Sequence, residues 1–529
     1  MRDPLSTVGT RVTPQSERAH PDQIANSAGG YSFPVDDWGR ALRFLVLGTD
    51  GGTYYISEKD LTMQNAEVVI RLANGAEGRK LVDLIVDVSK NGRAPRQNPT
   101  LYALAACTAS PDVNTRRAAL AAIPVVCRTG THLFIFARYV EQFRGWGRGL
   151  KRAIGQWYTE KSVDDVAFQA VKYQQREGWS HRDLLRLSHP ETPDPARKAL
   201  FSHITHGEDE ALGDPPRIMQ GHRLAQMATK PSQWAPLITE YRLPWETLPD
   251  AALNSPEVWE ALLPHMGYTA LIRQLGRLSR IGLVAPMSSA TKLVADRLAD
   301  GDALRKARVH PLSVLVALAT YASGHGFRGA SAWTPVPQVV AALDEAFYLA
   351  FGAIEPAGKH TLVALDVSGS MTMGQVANSP LAPFQAEGAM AMTVVRTEPE
   401  YFTMAFSGGF VSLPLTPKQR LDDVLRTMAN MPFDRTDCAV PMVWAEHNQV
   451  PVDTFLIYTD SETWAGTIHP HQALERYRQK MGIPARLAVI GMTSNGFSIA
   501  NSNDAGELDC VGFDTSTPQL LTEFSAGRL

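Results

Sequence analysis

The feature that most limits what this 529-residue chain can fold into is a change of hydrophobic period near residue 355. Over 65–349 apolar residues recur about every 3.6 positions, interrupted by short Pro/Gly/Asp/Ser clusters. That period predicts helices over 78–88, 113–123, 150–157, 163–172, 293–299 and 311–322. Several open on helix-start signals, such as Ser110-Pro111-Asp112 and Ser162-Val163-Asp164-Asp165, where a side-chain oxygen can satisfy free amides of the first turn. No strict repeat is present. Roughly a dozen short helices with short links over about 300 residues exceed what one core holds, and predict an irregular helical-repeat solenoid.

Beyond 355, continuous apolar runs replace the helical period. Residues 361–365 (TLVAL) and 454–458 (TFLIY) read as strands buried on both faces. A strand pair is predicted over 401–413 with Ser407-Gly408-Gly409 at its turn, and another strand over 486–491. Helices are predicted over 386–396, 418–428, 471–480 and 518–524. Alternating strands and helices imply a doubly wound, mostly parallel sheet. The predicted architecture is multidomain, α plus α/β: a flexible tail over 1–30, a helical-repeat module over 31–357 and an α/β domain over 358–529.

The formal net charge of −3 conceals a division at the same boundary. Residues 360–529 carry 10 basic and 18 acidic side chains, a net of −8, leaving +5 on 1–359. Such a split suggests two modules with different partners. Four cysteines without a CxxC pair fit a reducing compartment. The first thirty residues lack an apolar signal core, and the longest apolar run, about 118–127, is interrupted by Pro124. A cytoplasmic protein with no membrane partner is expected.

In doubly wound sheets ligands gather at the carboxyl ends of strands. Directly after the first strand stands Asp366-Val367-Ser368-Gly369-Ser370, whose alternate residues can aim three oxygens at one point. Thr459-Asp460-Ser461 follows 454–458, and Arg435-Thr436-Asp437-Cys438 lies between. Two carboxylates, Asp366 and Asp460, with the hydroxyls of Ser368, Ser370 and Thr436 form a hard-oxygen set suited to Mg²⁺ or Mn²⁺. The plainer alternative is that these residues only cap helices and make turns. Three enzyme classes lose on named residues. A DxDx phosphatase needs a carboxylate where Ser368 stands. The phosphate-loop-like Gly358-Lys359 is followed by His360 and precedes a strand. No GxSxG surrounds Ser368 or Ser370. A nuclease would lack a carboxylate-bridged metal pair. The set reads instead as non-catalytic, a cation that grips an acidic group on a partner protein.

Basic residues concentrate over 101–190, with 13 basic and 7 acidic side chains, and over 271–310, with 8 and 3. The first window interleaves aromatics, as in Arg138-Tyr139, Arg144-Gly145-Trp146-Gly147-Arg148 and Lys172 through Trp179. Lys172 and Arg176, four apart, would share one helix face, and such spacing can follow a phosphate backbone while rings stack on unpaired bases. The alternative is that Trp146, Trp157 and Trp179 pack the core beneath a solvated charged face.

Four stretches then become specific: Gly48-Thr49-Asp50-Gly51-Gly52-Thr53-Tyr54-Tyr55-Ile56; Val126-Cys127-Arg128-Thr129 with Thr131-His132-Leu133-Phe134; Gly178-Trp179-Ser180-His181-Arg182-Asp183-Leu184-Leu185-Arg186-Leu187-Ser188-His189; and Gly491-Met492-Thr493-Ser494-Asn495-Gly496-Phe497. They resemble the Ro autoantigen family, and the likeness runs from about Gly30 to the end. The resemblance implies a TROVE module, a ring of HEAT-like helical repeats, closed by a von Willebrand factor A-type domain. It implies binding of small noncoding Y RNA on a basic outer face, and of misfolded or structured RNA whose single-stranded 3′ end enters the ring. It also implies a tethered 3′ exoribonuclease such as polynucleotide phosphorylase, and a role in RNA quality control, maturation or decay under stress. By position Lys172, Arg176 and His189 match the Y RNA face, with His181 and Arg182 in the same motif. Asp366, Ser368, Ser370, Thr436 and Asp460 match a metal-ion-dependent adhesion site. Asp434-Arg435 stands where the family more usually has Gly-Gly, which bears on loop geometry and metal affinity.

Overall fold

The computed structural model describes residues 12–48, 58–207, 210–326, 330–352, 354–376, 379–432 and 434–528. Its architecture changes where the hydrophobic period does. From Asp37–Leu47 to Pro337–Leu349 the chain is a succession of α-helices packed on near neighbours, such as Gly78–Lys90 on Val113–Val126 and Asn98–Thr108 on Gly130–Phe143. The cap signals act as read: Asp112 accepts from the Thr115 amide and Ser162 from the Asp165 amide. One apolar cluster gathers Leu101, Phe134 and Trp157; a second gathers Trp259, Leu315 and Phe347 and continues into the second domain through Met390 and Val363. The array closes on itself. Nε2 of His310, which caps Pro311–Ala322, lies 3.1 Å from the carbonyl oxygen of Arg93, which follows Gly78–Lys90. Gly92 sits so close to Arg308 that a Cβ there would stand 3.2 Å from its side chain.

The described strands are β1 (Ile24–Ala25), β2 (Tyr31–Pro34), β3 (Gln175–Arg176), β4 (Trp179–Ser180), β5 (Thr361–Asp366), β6 (Tyr401–Phe406), β7 (Phe410–Ser412), β8 (Thr454–Thr459), β9 (Arg486–Gly491), β10 (Phe497–Ser498) and β11 (Glu507–Val511). Six of them form the sheet of the second domain in the order β11-β9-β8-β5-β6-β7, parallel except for β7 against β6. β5 and β8 are buried along their whole length, as two-sided strands require. β11 escapes sequence reading because Glu507 and Asp509 break its apolar run.

The N-terminal segment corrects one expectation. Instead of a flexible tail over 1–30, the described residues 12–30 lie on the second domain, and β2 pairs antiparallel with both β1 and β10. Gln15 is fully buried; its Nε2 donates to Asp437 Oδ1 and to the Ile468 carbonyl, each at 2.8 Å. Asn26 Nδ2 donates to the Thr463 carbonyl at 2.7 Å. A polar composition that reads as disorder supplies the amides that satisfy buried loop carbonyls.

Arg43, on the first helix, joins the modules with only 1% of its side chain exposed. Its guanidinium donates to both Asp509 oxygens at 2.6 and 2.7 Å, to Asn495 Oδ1 at 2.9 Å and to the Phe497 carbonyl at 3.1 Å. The four cysteines are free and buried. No helix among the described residues is long and apolar enough to cross a membrane.

Removing one partner of a buried ion pair costs about 3–5 kcal/mol. Arg43→Met is expected to lower the guanidinium unfolding midpoint by a corresponding amount. A midpoint unchanged from wild type would show that the modules are joined elsewhere.

Candidate functional site

The candidate metal-binding loop forms where β5 and β8 end side by side in the middle of the sheet. Asp366, Ser368, Ser370, Thr436 and Asp460 are all buried. The Ser368 amide donates to Asp366 Oδ1 at 2.9 Å, and the Ser368 and Ser370 hydroxyls lie 3.1 Å apart. Thr459, the last residue of β8, donates to Asp366 Oδ2 at 2.5 Å. Asp460 Oδ1 accepts from the Glu462 amide at 3.0 Å. Thr436 is fixed to the same loop, its carbonyl accepting from the Trp464 and Ala465 amides. Ser461 holds φ at 63°, a left-handed conformation uncommon for a residue with a Cβ. Asp434 forms a parallel bridge with Ser368, and its carbonyl accepts from the Gly369 amide at 2.9 Å. Neither Asp434 nor Arg435 has positive φ, so both sit in backbone conformations open to residues with a Cβ.

The electrostatics of the loop are one-sided. Burial, and then the neighbouring Asp460, push the Asp366 carboxyl up to about 7; burial raises Asp460 as well. Two further carboxyls, missed in sequence, face the same pair. Glu387, on Pro383–Thr397, is wholly buried with both oxygens unpartnered, and is held well above its ordinary range by burial and by Asp366 and Asp460. Glu462 is pushed up to about 8 by burial and by Asp460, while its Oε2 accepts from the Ala28 amide at 3.0 Å. A lone Glu in the small, apolar run Ala386-Glu387-Gly388-Ala389-Met390 was the available signal for the first. Among the described residues no basic side chain pairs with any of the four, and no group of three or more His, Cys, Asp or Glu forms a metal cluster. A divalent cation fits the residues only if the hydroxyls of Ser368, Ser370 and Thr436 complete the set. Such an ion would relieve the repulsion between the two buried carboxylates.

The residues carried over for RNA divide into exposed and buried groups. Lys172 ends the helix Val163–Lys172, and its Nζ lies 3.4 Å from Glu246 Oε1. Arg176 does not share that helix, contrary to the four-residue spacing argument. The helix stops at Tyr173, and β3 and β4 form a hairpin whose turn residues Glu177 and Gly178 have φ of 53° and 81°. Two consecutive left-handed residues favour a tight hairpin over helix continuation. Arg176 and Arg182 are exposed, as is His189 in a left-handed helix cap at φ 43°. His181 departs from the expected surface role. It is 3% exposed, its Nδ1 lies 2.9 Å from the Tyr158 hydroxyl, and it packs among Phe134, Trp157 and Tyr158. Burial lowers its pKa to about 4, so it is neutral at physiological pH. Of the three tryptophans, Trp157 is core, whereas Trp146 and Trp179 are half-buried with ring centroids 5.1 Å apart. Residues 49–56 of the first motif lie outside the described residues.

Two family models match this chain: the Ro60 vWA domain over residues 360–525 and the TROVE domain over 24–211 and 240–321. The chain is 42% identical over 533 residues to the RNA-binding protein RO60 of Deinococcus radiodurans, covering all of both chains. It is 34% identical over 597 residues to the RNA-binding protein RO60 of Caenorhabditis elegans, covering 98% of this chain and 92% of that one. The crystal structure of the Deinococcus radiodurans RO (RSR) protein superposes with a TM-score of 0.71 at 42% identity, covering 93% of this chain and 100% of that one.

A carboxyl whose pKa is raised on folding favours the folded state while protonated, and that stability is lost as pH rises through the folded value. For Asp366 the loss falls between its ordinary carboxylate range and about 7. The chain in EDTA should therefore lose thermal stability as pH rises from about 5 to about 8, and Asp366→Asn should flatten the slope. A flat wild-type profile would contradict the buried, mutually repelling pair.

Proposed function

This chain belongs to the Ro60 family, and we propose that it is a non-catalytic RNA-binding scaffold of the cytoplasm. Small noncoding Y RNA lies on the outer face around the β3–β4 hairpin. Misfolded or structured noncoding RNA presents a single-stranded 3′ end to the ring. A 3′ exoribonuclease such as polynucleotide phosphorylase is tethered through the Y RNA, so the complex serves RNA quality control, maturation and decay under stress. The observation that carries this reading is the hairpin with its following helix. It presents the exposed cations Arg176 and Arg182 and the His189 cap beside the half-buried Trp146–Trp179 pair. Cations of that kind engage phosphates, and unpaired bases stack on aromatic ring faces.

A second role in the same chain is favoured by the buried Asp366–Asp460 pair. Asp366, Ser368, Ser370, Thr436 and Asp460 would hold Mg²⁺ or Mn²⁺, and the ion, when bound, supplies a positive site for an acidic side chain of a partner protein. The chain's own residues set the loop by hydrogen bonds that need no ion, through Thr459 and the Ser368 amide. One ion held largely by hydroxyls lacks the carboxylate-bridged metal pair of two-metal nucleases.

Replacing Arg176 and Arg182 together by Ala is expected to weaken Y RNA binding and to reduce the slope of log K against log salt by about two. Lys172→Ala should do less, because Glu246 already engages that ammonium. An unchanged slope in the double variant would move the RNA to another surface. For the second role, Mg²⁺ or Mn²⁺ should raise the Tm of the wild-type chain and leave Asp460→Asn unmoved. Equal shifts in both, or none in wild type, would reduce the loop to a hydrogen-bonded turn.

A further inference from the structure

A cavity of about 480 Å³ lies on the seam where the helical array closes. The segment Pro95-Arg96, the helices Tyr268–Arg280 and Pro311–Ala322, and Ser379-Pro380 of the second domain all contribute to it. Its volume falls within the roughly 300–1,000 Å³ of small-molecule pockets. Neither the metal loop nor the β3–β4 hairpin takes part in its wall.

One wall is a flat, immobilised aromatic ring. Trp333 is half-buried; its Nε1 donates to the Tyr321 carbonyl at 3.0 Å and its amide to the Gly324 carbonyl at 2.8 Å. The indole runs nearly parallel to the Tyr321 ring, 19° apart in plane. It also lies over Gly276, where a Cβ would come within 2.7 Å of the ring, so only glycine leaves the indole this position. The charged part of the wall has a single sign. Arg273 and Arg277 stand four apart on one helix, Arg96 comes from the opposite end of the array, and no carboxylate occurs among the described lining residues. Arg277 is steadied by the face of Trp259, 5.6 Å from the ring centroid. The hydroxyls of Ser313 and Thr320 line the same space.

A fixed aromatic plate, three guanidinium groups and hydroxyls in one cavity match a ligand with a planar ring, a phosphate and a polyol between them. We propose that this cavity is a nucleotide-binding site, with the base on Trp333 and the phosphate on Arg273, Arg277 and Arg96. The site goes beyond the RNA faces described above. Its occupant is either a free mononucleotide or one nucleotide of a bound RNA chain. By touching both ends of the array and the second domain, the ligand would also hold the ring shut.

The test is equilibrium dialysis of the full chain, purified free of nucleic acid, against AMP, adenosine and inorganic pyrophosphate. AMP is expected to saturate the site and to bind at least tenfold more tightly than adenosine or pyrophosphate, and to raise the Tm. Arg273→Glu, at an exposed position, should weaken AMP at least tenfold while the unliganded Tm stays as in wild type. Gly276→Ala, which displaces the indole, should weaken it as well. No AMP binding, pyrophosphate binding as tight as AMP, or indifference to Arg273→Glu would each overturn the proposal. A single-stranded oligoribonucleotide that displaces AMP supports the site and assigns its nucleotide to RNA; AMP retained against it supports the site and assigns a free nucleotide. The AMP measurements contain no RNA, so their failure is distinct from failure of the Y RNA reading.

Discussion

A guanidinium removed from water needs partners inside the protein, and the two terminal nitrogens of Arg43 find theirs across the boundary between the modules. The pair with Asp509 on β11 is one part of this. The other runs through Asn495, whose Oδ1 accepts from Arg43 and whose Nδ2 donates to the Asp460 carbonyl at 2.6 Å. The first helix of the ring is thus two hydrogen bonds away from the backbone of Asp460. Neither module can shift against the other without leaving Arg43 or Asn495 unsatisfied, and Arg93 with Asp514 repeats the arrangement nearby.

The division of charge follows from this assembly. Part of the second domain's acidity is buried in Asp366, Asp460, Glu387 and Glu462, where burial and mutual repulsion oppose ionisation. Their formal charge overstates the field felt at the surface. The ring's excess of cations lies partly in the open, at Arg176 and Arg182, and partly in the cavity wall at Arg273 and Arg277. The second domain is therefore less acidic at its surface than its formal charge implies, while Arg176 and Arg182 of the first module stand exposed.

Much of this was legible in the residues because two-sided burial and 3.6-residue amphipathicity leave strong marks. TLVAL and TFLIY became β5 and β8, and 163–172 became Val163–Lys172 with its Ser162 cap. Asp366, Ser368, Ser370, Thr436 and Asp460 stand out in the sequence because each follows a buried strand or stands in a short hydroxyl-rich turn, and all five are buried in the structure. What escaped depends on distant partners. Gln15 looks like part of a disordered tail until Asp437 and Ile468 stand beside it. His181 looks like an RNA contact until Phe134, Trp157 and Tyr158 enclose it. Arg176 sits four residues from Lys172, but Glu177-Gly178 makes a hairpin where spacing alone suggests a helix.

The docking of residues 12–34 has a consequence for the order in which the chain matures. Ala28 reaches Glu462, Asn26 reaches Thr463 and Ser32 reaches Ser461, contacts spanning 434, 437 and 429 residues. During synthesis that segment is made well before its seat, which lies on β10 and the loop after β8. It must wait unattached while the helical module is synthesised, and it settles only after β8 and β10 have formed. Closure entropy for loops of that length postpones such contacts further. The segment therefore works as a seal set at the end of assembly: a nascent or truncated chain lacks it, and its seating marks a molecule whose two modules are both finished.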